Sequence, residues 1–317
     1  MFNLRRFFRR IFVSGAAITG TLALANKSIE EHASDKNILD PADGHYYDWT
    51  HARIFYRKEG SGETPLLLIH TASVFSSGHE FSSVIRALSG KYTVYCLDLP
   101  GCGLSEKPAL TYTNYFFSSM ICAFVRDVIG ERAVVAASGL SGSFAVMAQA
   151  SHPELFSKIY LINPPSDTQT ARVSVNRSGM LMAMMSVPVI GKSVYYAIIS
   201  RPGIARFLEK KYFKDPGRIT TRTADACYEA SHLGEGRGRY FLASLNARYM
   251  NWDIKRALSG LTVPVVILYS SRVNNAQAAA KSLRRYNAKI SLKPIGLCGL
   301  LPQLEQPEAF ISELLGE

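Results

Sequence analysis

Five short runs of almost unbroken apolar residues constrain this chain more than any other feature. They are TPLLLIH (residues 64–70), YTVYCLDLP (92–100), AVVAAS (133–138), KIYLINPP (158–165) and VPVVILYS (263–270), and a late strand-like piece, KISLKPIG (289–296), follows them. A strand with one face in water alternates apolar and polar residues. A strand apolar at successive positions is buried on both faces, as in a parallel sheet covered by helices. Segments of helical period stand between the runs: EFSSVIRALSG, YFFSSMICAFVRDVIG and SFAVMAQASHP. HYYDWTHARIFYRKEGSG adds two strand-like pieces around Thr50-His51. This alternation predicts an α/β fold with a doubly wound, mostly parallel sheet.

Between Pro165 and Thr262 the pattern is helical with no convincing strand. The expected organisation is a core of residues 45–164 and 262–317, with residues 165–261 inserted as a helical cap. The chain carries a net charge of +11, and residues 165–260 hold 15 Lys/Arg against 7 Asp/Glu, so much of the basic excess is local to the cap. A basic face of this kind fits a solvated helical surface, and no nucleic-acid-binding motif accompanies it. The five cysteines are odd in number and none pairs at metal-ligand spacing, so they read as small buried hydrophobes. No phosphate loop or ligand cluster implies a cofactor.

The N-terminus, MFNLRRFFRR, is basic, and residues 11–25 (IFVSGAAITGTLALA) carry no charge. A basic region before a short apolar one is the grammar of a secretory signal or an uncleaved signal-anchor. The expectation is a membrane-anchored protein over residues 1–25, with the domain on the extracytoplasmic side, or a secreted one if cleavage falls near Ala25. Residues 26–44 then read as a polar linker.

Several motifs together resemble the α/β-hydrolase superfamily from about Tyr46 to Leu315. LLLIHTASVFSSGHEF is similar to the strand and oxyanion loop of that family, with Thr71 where the family has Gly. DLPGCGLSEKP (98–108) is similar to its D-x-P-G-x-G-x-S-x-x-P turn. SHPELFSKIYLINPP and LPQLEQPEAFISELL correspond to segments flanking the cap and following the family's histidine. The resemblance implies a serine on a sharp strand-to-helix elbow, an acid and a histidine, in that chain order.

In this register all three slots lack the expected residue. The nucleophile slot falls on Gly139. The acid slot lies in residues 271–275 (SRVNN), around Asn274. The histidine slot falls on Leu300, and none of the seven histidines follows the last strand. The fallback candidates are Ser141, which satisfies G-x-S-x-small, Ser138 on the other side of the slot, and Asp167, at an alternative acid position of the superfamily. His232 in the cap and Cys298 are remoter substitutes. His70, Thr71, Ala72 and Leu140 are expected to form the oxyanion side of the pocket. The leading expectation is therefore a membrane-anchored protein of this fold without hydrolytic activity. It would bind a small apolar ligand, a lipid or a protein partner under the cap, in an oligomeric state left open. The alternative is an active serine hydrolase, esterase- or lipase-like, with Ser141 as a relocated nucleophile.

Overall fold

The computed structural model describes residues 19–33, 35–173 and 178–316. Eight strands form one sheet: β1 (His45–Trp49), β2 (Ala52–Glu59), β3 (Thr64–Ile69), β4 (Tyr92–Leu97), β5 (Ala133–Ser138), β6 (Phe156–Ile162), β7 (Val265–Tyr269) and β8 (Ile290–Pro294). Their order is β1-β2-β4-β3-β5-β6-β7-β8. β2 pairs antiparallel with β1 and β4, and every other pairing is parallel.

The unbroken apolar runs are explained by two cores, one on each face of the sheet. Leu67 and Ile69 of β3, Val135 and Ala137 of β5, and Val265 and Ile267 of β7 point into the larger core. Their neighbours Leu66, Leu68, Val134, Ala136, Val266 and Leu268 point into the other. The period-2 geometry of a strand divides each run between the faces, so neither face tolerates polar residues. Helices Asn114–Phe124 and Ser141–Ser151 cover the first face, and Pro307–Leu315 packs on the second.

Between β6 and β7 the chain is helical, with Ser178–Ser186, Pro188–Ile198, Arg201–Phe207, Thr221–His232 and Gly238–Asn246 as its main helices. This layer is tied to the core by Tyr212, whose hydroxyl meets Ser76 Oγ at 2.8 Å.

The N-terminal expectation is corrected here. Residues 1–18 lie outside the described residues. From residue 19 to 31 the chain is one helix, and no helix among the described residues is long and apolar enough to cross a membrane. That helix rests on the cap. Asn26 Nδ2 donates to Ser193 Oγ at 3.1 Å, and the Glu30 carboxylate accepts from Lys192 Nζ at 2.7 Å and from the Tyr196 hydroxyl at 2.8 Å. The stretch read as a linker also touches the cap. Lys36 pairs with Asp225, the backbone N–H of Ile38 donates to Glu229, and Leu39 is buried. A membrane anchor with an extracytoplasmic domain is therefore not supported.

Candidate active site

β5 ends at Ser138 and the helix Ser141–Ser151 starts three residues later, so the chain reverses in a tight elbow. Gly139 sits at its tip with φ +56°, a left-handed conformation that L side chains adopt only with strain. Its N–H donates to Ile162 O at 2.8 Å, which fixes the elbow to β6. A Cβ placed on Gly139 would lie 3.2 Å from Thr71 Cγ2 and 3.6 Å from Thr71 Oγ1. Thr71 thus occupies the side of the elbow that a side chain at 139 would face. The next residue, Leu140, lines the cavity, and its N–H has no acceptor among the described residues.

The two neighbouring serines do not reach the cavity. Ser141 is fully buried and donates through Oγ to His70 O at 2.7 Å. Ser138 is buried beside Gln303, whose Nε2 donates to its Oγ at 3.2 Å. Each hydroxyl is used in holding the elbow to a neighbouring loop.

Gly139, Asn274 and Leu300 line one cavity of about 460 Å³, although they come from three separate loops. The loop bearing Leu300 is fastened from beneath. Leu300 N–H donates to Tyr212 O at 2.8 Å, and the buried Glu305 carboxylate accepts from Lys214 N and Asp215 N, each at 3.1 Å, and from Gly299 N. Asn163, in the left-handed region with φ +44°, joins the ends of β6 and β7. Its Oδ1 accepts from Ser270 N at 2.8 Å, and its Nδ2 donates to Ser270 Oγ at 2.9 Å and to Leu300 O at 3.1 Å.

Asp167 lies elsewhere, accepting from the Tyr286 hydroxyl at 2.7 Å with Arg285 at 3.6 Å. Burial pushes its pKa up, but the hydrogen bonds from Tyr286 and Ser282 and the nearby Arg285 outweigh this and hold it below the usual carboxylate range. His232 is buried against Tyr228, and burial takes its pKa down to about 4. Cys298 is buried, its Sγ 3.0 Å from Ser270 Oγ, with burial raising its pKa. None of these three lines the cavity.

On the opposite wall, His70 is a structural staple. Its Nε2 accepts from Leu99 N–H at 2.9 Å, which leaves Nδ1 protonated to donate to Thr71 O at 2.8 Å. Burial lowers its pKa, so the ring stays neutral. Ala72 is buried and does not line the cavity, whereas Thr71 does. The loop is braced by Asp98, whose carboxylate accepts from Gly78 N at 2.6 Å and Leu104 N at 2.7 Å. Gly103 allows this, because a Cβ there would fall 2.1 Å from Asp98 Oδ2. The D-x-P-G-x-G turn is therefore a clamp on the loop facing the elbow.

Sequence reasoning missed the charged rim of the cavity. Arg172 and Arg248 line it together with Gln169, Asn163, Asn251 and Asn275, and among the described residues no carboxylate does. Asn251 Nδ2 holds the rim by donating to Gln169 O at 3.0 Å and Arg172 O at 2.8 Å. Arg248 has φ +60°, a strained backbone that places it at the mouth. The local basic excess of the cap was the only trace of this in the sequence.

Residues 66–313 match the family model described as alpha/beta hydrolase family, and the chain belongs to that family. An uncharacterized hydrolase, YugF, of Bacillus subtilis is 30% identical over 105 residues, 33% of this chain and 38% of the relative. The 2-(acetamidomethylene)succinate hydrolase of Mesorhizobium japonicum is 25% identical over 234 residues, 72% of this chain and 78% of the relative. Among curated relatives the matched span is thus under two thirds of the former and over three quarters of the latter. In three dimensions the chain is similar to a serine hydrolase of carbazole degradation, with a TM-score of 0.70 and 16% identity over 86% of this chain and 97% of that one. This last likeness bears on the fold alone. The relatives by sequence are named as hydrolases, which overturns the expectation of a non-hydrolytic protein and of a pseudoenzyme.

Proposed function

We propose that the chain is a hydrolase of small acyl compounds, esters or amides, whose acyl part ends in a carboxylate. The observation that carries this reading is the pair of arginines at the cavity mouth, Arg172 and Arg248, with no carboxylate among the lining residues. Arginine matches a carboxylate with paired N–H donors, and an exposed rim charge acts mainly on capture. Leu140, Pro164, Val273 and Leu300 offer an apolar bed for the carbon chain. The Leu140 N–H, at the start of a helix, is placed to receive the oxyanion of a tetrahedral intermediate. The Mesorhizobium relative is named for a substrate of this class, a succinate bearing an amide.

The test is a matched pair of esters, 4-nitrophenyl hydrogen adipate and 4-nitrophenyl hexanoate, which share a six-carbon acyl chain and differ in its end. Hydrolysis should favour the adipate. Arg172→Gln and Arg248→Gln should each raise KM for it by about 5-fold with kcat little changed, since an exposed ion pair is worth up to roughly 1 kcal/mol. The effect should shrink at high salt. Preference for the hexanoate, or turnover of neither ester, would reject the reading.

A further inference from the structure

The elbow carries no hydroxyl, but the loop facing it does. Thr71 stands where the family has glycine, lines the cavity, and lies within 3.2–3.9 Å of the point a side chain at 139 would occupy. Behind it is Glu80, on the short turn Gly78–Phe81, which is buried. Glu80 Oε2 accepts from Thr71 N–H at 3.0 Å, while Oε1 is buried and has no hydrogen-bond partner among the described residues. The neighbouring Thr71 and Ser76 hydroxyls pull the pKa of this carboxylate down, and the Ser76 Oγ is hydrogen-bonded to the Tyr212 hydroxyl at 2.8 Å. A buried carboxylate oxygen without a partner is costly in a folded protein and calls for an explanation.

We infer that Thr71 is the nucleophile of this hydrolase and Glu80 its general base, an arrangement that rests on the hydrolase reading above. Thr71 Oγ1 attacks the acyl carbon as its proton passes to Glu80, and the carbonyl oxygen becomes an oxyanion facing the Leu140 N–H. The oxyanion collapses, the bond to the leaving group breaks, and Glu80 returns the proton to it. Water then attacks the acyl-threonine ester, giving its proton to Glu80. The bond to Thr71 Oγ1 breaks, that oxygen recovers the proton, and the acid product departs. No co-reactant beyond water is required.

The surroundings of Glu80 suit this role. Burial raises its pKa to about 7 and the Asp98 charge adds to the rise, whereas the Ser76 and Thr71 hydroxyls and the Thr71 N–H pull it down. Tyr212, Cys96, Cys102 and Cys227 also face it, and burial raises the pKa of each of these so that all remain neutral. A base that titrates near neutrality gives a rate that rises with pH through that point.

The experiment uses the full chain with 4-nitrophenyl hydrogen adipate, and follows covalent capture of a fluorophosphonate by peptide mass mapping. Thr71→Val, which keeps the branched shape, should lose about 10³-fold in kcat, while Thr71→Ser keeps a rate within about 10-fold of wild type. Glu80→Gln should lose about 10²-fold or more and lose the pH dependence near 7. The phosphonyl adduct should map to Thr71 and vanish in Thr71→Val. Thermal unfolding of each variant separates these losses from failure to fold. Wild-type turnover that survives in Thr71→Val, or an adduct that maps to Ser141 and vanishes in Ser141→Ala, overturns the Thr71 assignment and leaves the hydrolase reading standing. An adduct on Thr71 without turnover of the adipate supports the nucleophile and rejects the proposed substrate. Neither turnover nor adduct rejects both.

Discussion

If Thr71 fills the space left by the missing side chain at the elbow, residues 71 and 139 must be energetically coupled. Gly139→Ala forces an L side chain into φ +56°, at a cost of roughly 1–2 kcal/mol. Its new methyl also meets Thr71 Cγ2 at 3.2 Å, a contact that one of the two must relieve by moving. Overpacking of this kind adds about 1 kcal/mol at the low end of its usual range. Thr71→Ala alone removes one methyl and one hydroxyl from a half-buried site, costing about 1 kcal/mol. In the double variant the clash is gone, because the nearest remaining Thr71 atom, Cβ, is 3.9 Å away. The double variant should therefore be more stable than the sum of the single effects by about 1 kcal/mol, read from urea unfolding of all four proteins. Additivity within about 0.3 kcal/mol would show that Thr71 does not occupy that space, and would remove the geometric ground for its catalytic assignment.

Other predictions follow from single groups. Glu305→Ala leaves the N–H groups of Gly299, Lys214 and Asp215 without their acceptor and should cost about 2–4 kcal/mol in urea unfolding, most of it as buried unpaired polar groups. Gly139→Ser should not create a working serine hydrolase, because Leu300 stands in the histidine slot, and its side chain crowds Thr71, so adipate turnover should fall. Burial pulls the pKa of both His79 and His232 down to about 4, so folding favours their neutral forms. Stability should be full above pH 6.5 and fall as the pH drops from 6.5 toward 4, by up to about 3 kcal/mol for each histidine. Glu80 acts in the opposite sense. Its raised pKa means stability is fully present below pH 4.5 and lost as the pH rises through 7, so Glu80→Gln should gain stability over wild type only at the higher pH.

The sheet was legible because its signal is local. Leu66 to Ile69 are apolar at every position, and two cores, one per face, are what such a run requires. At the elbow the sequence offers only spacing, whereas the structure places Gly139 at the tip with φ +56° and in one cavity with Leu300 and Asn274. The N-terminal segment misled because an uncharged stretch after basic residues reads the same whether it belongs to a membrane span or, as residues 19–31 do, to a helix docked on the rest of the chain. The difference lies in Asn26 and Glu30, whose partners Ser193, Lys192 and Tyr196 are more than 160 residues away. The mouth of the cavity was hidden for a related reason. Arg172 and Arg248 are two of many cationic residues in the cap, and only the fold brings them beside Gly139. Thr71 was visible as a departure from glycine, but its position against the elbow depends on the packing of two loops that the sequence does not relate.

Hydrolysis of a carboxylate-bearing acyl compound in this cavity is the proposal on which the rest depends. Its most direct test is multiple turnover of 4-nitrophenyl hydrogen adipate by the purified full chain in ¹⁸O-labelled water, with the adipate product weighed by mass spectrometry. Many turnovers per protein are expected, with one ¹⁸O entering each product from the water that cleaves the acyl-enzyme. Nitrophenol release no faster than in buffer, or a burst of one equivalent without labelled adipate, would contradict it.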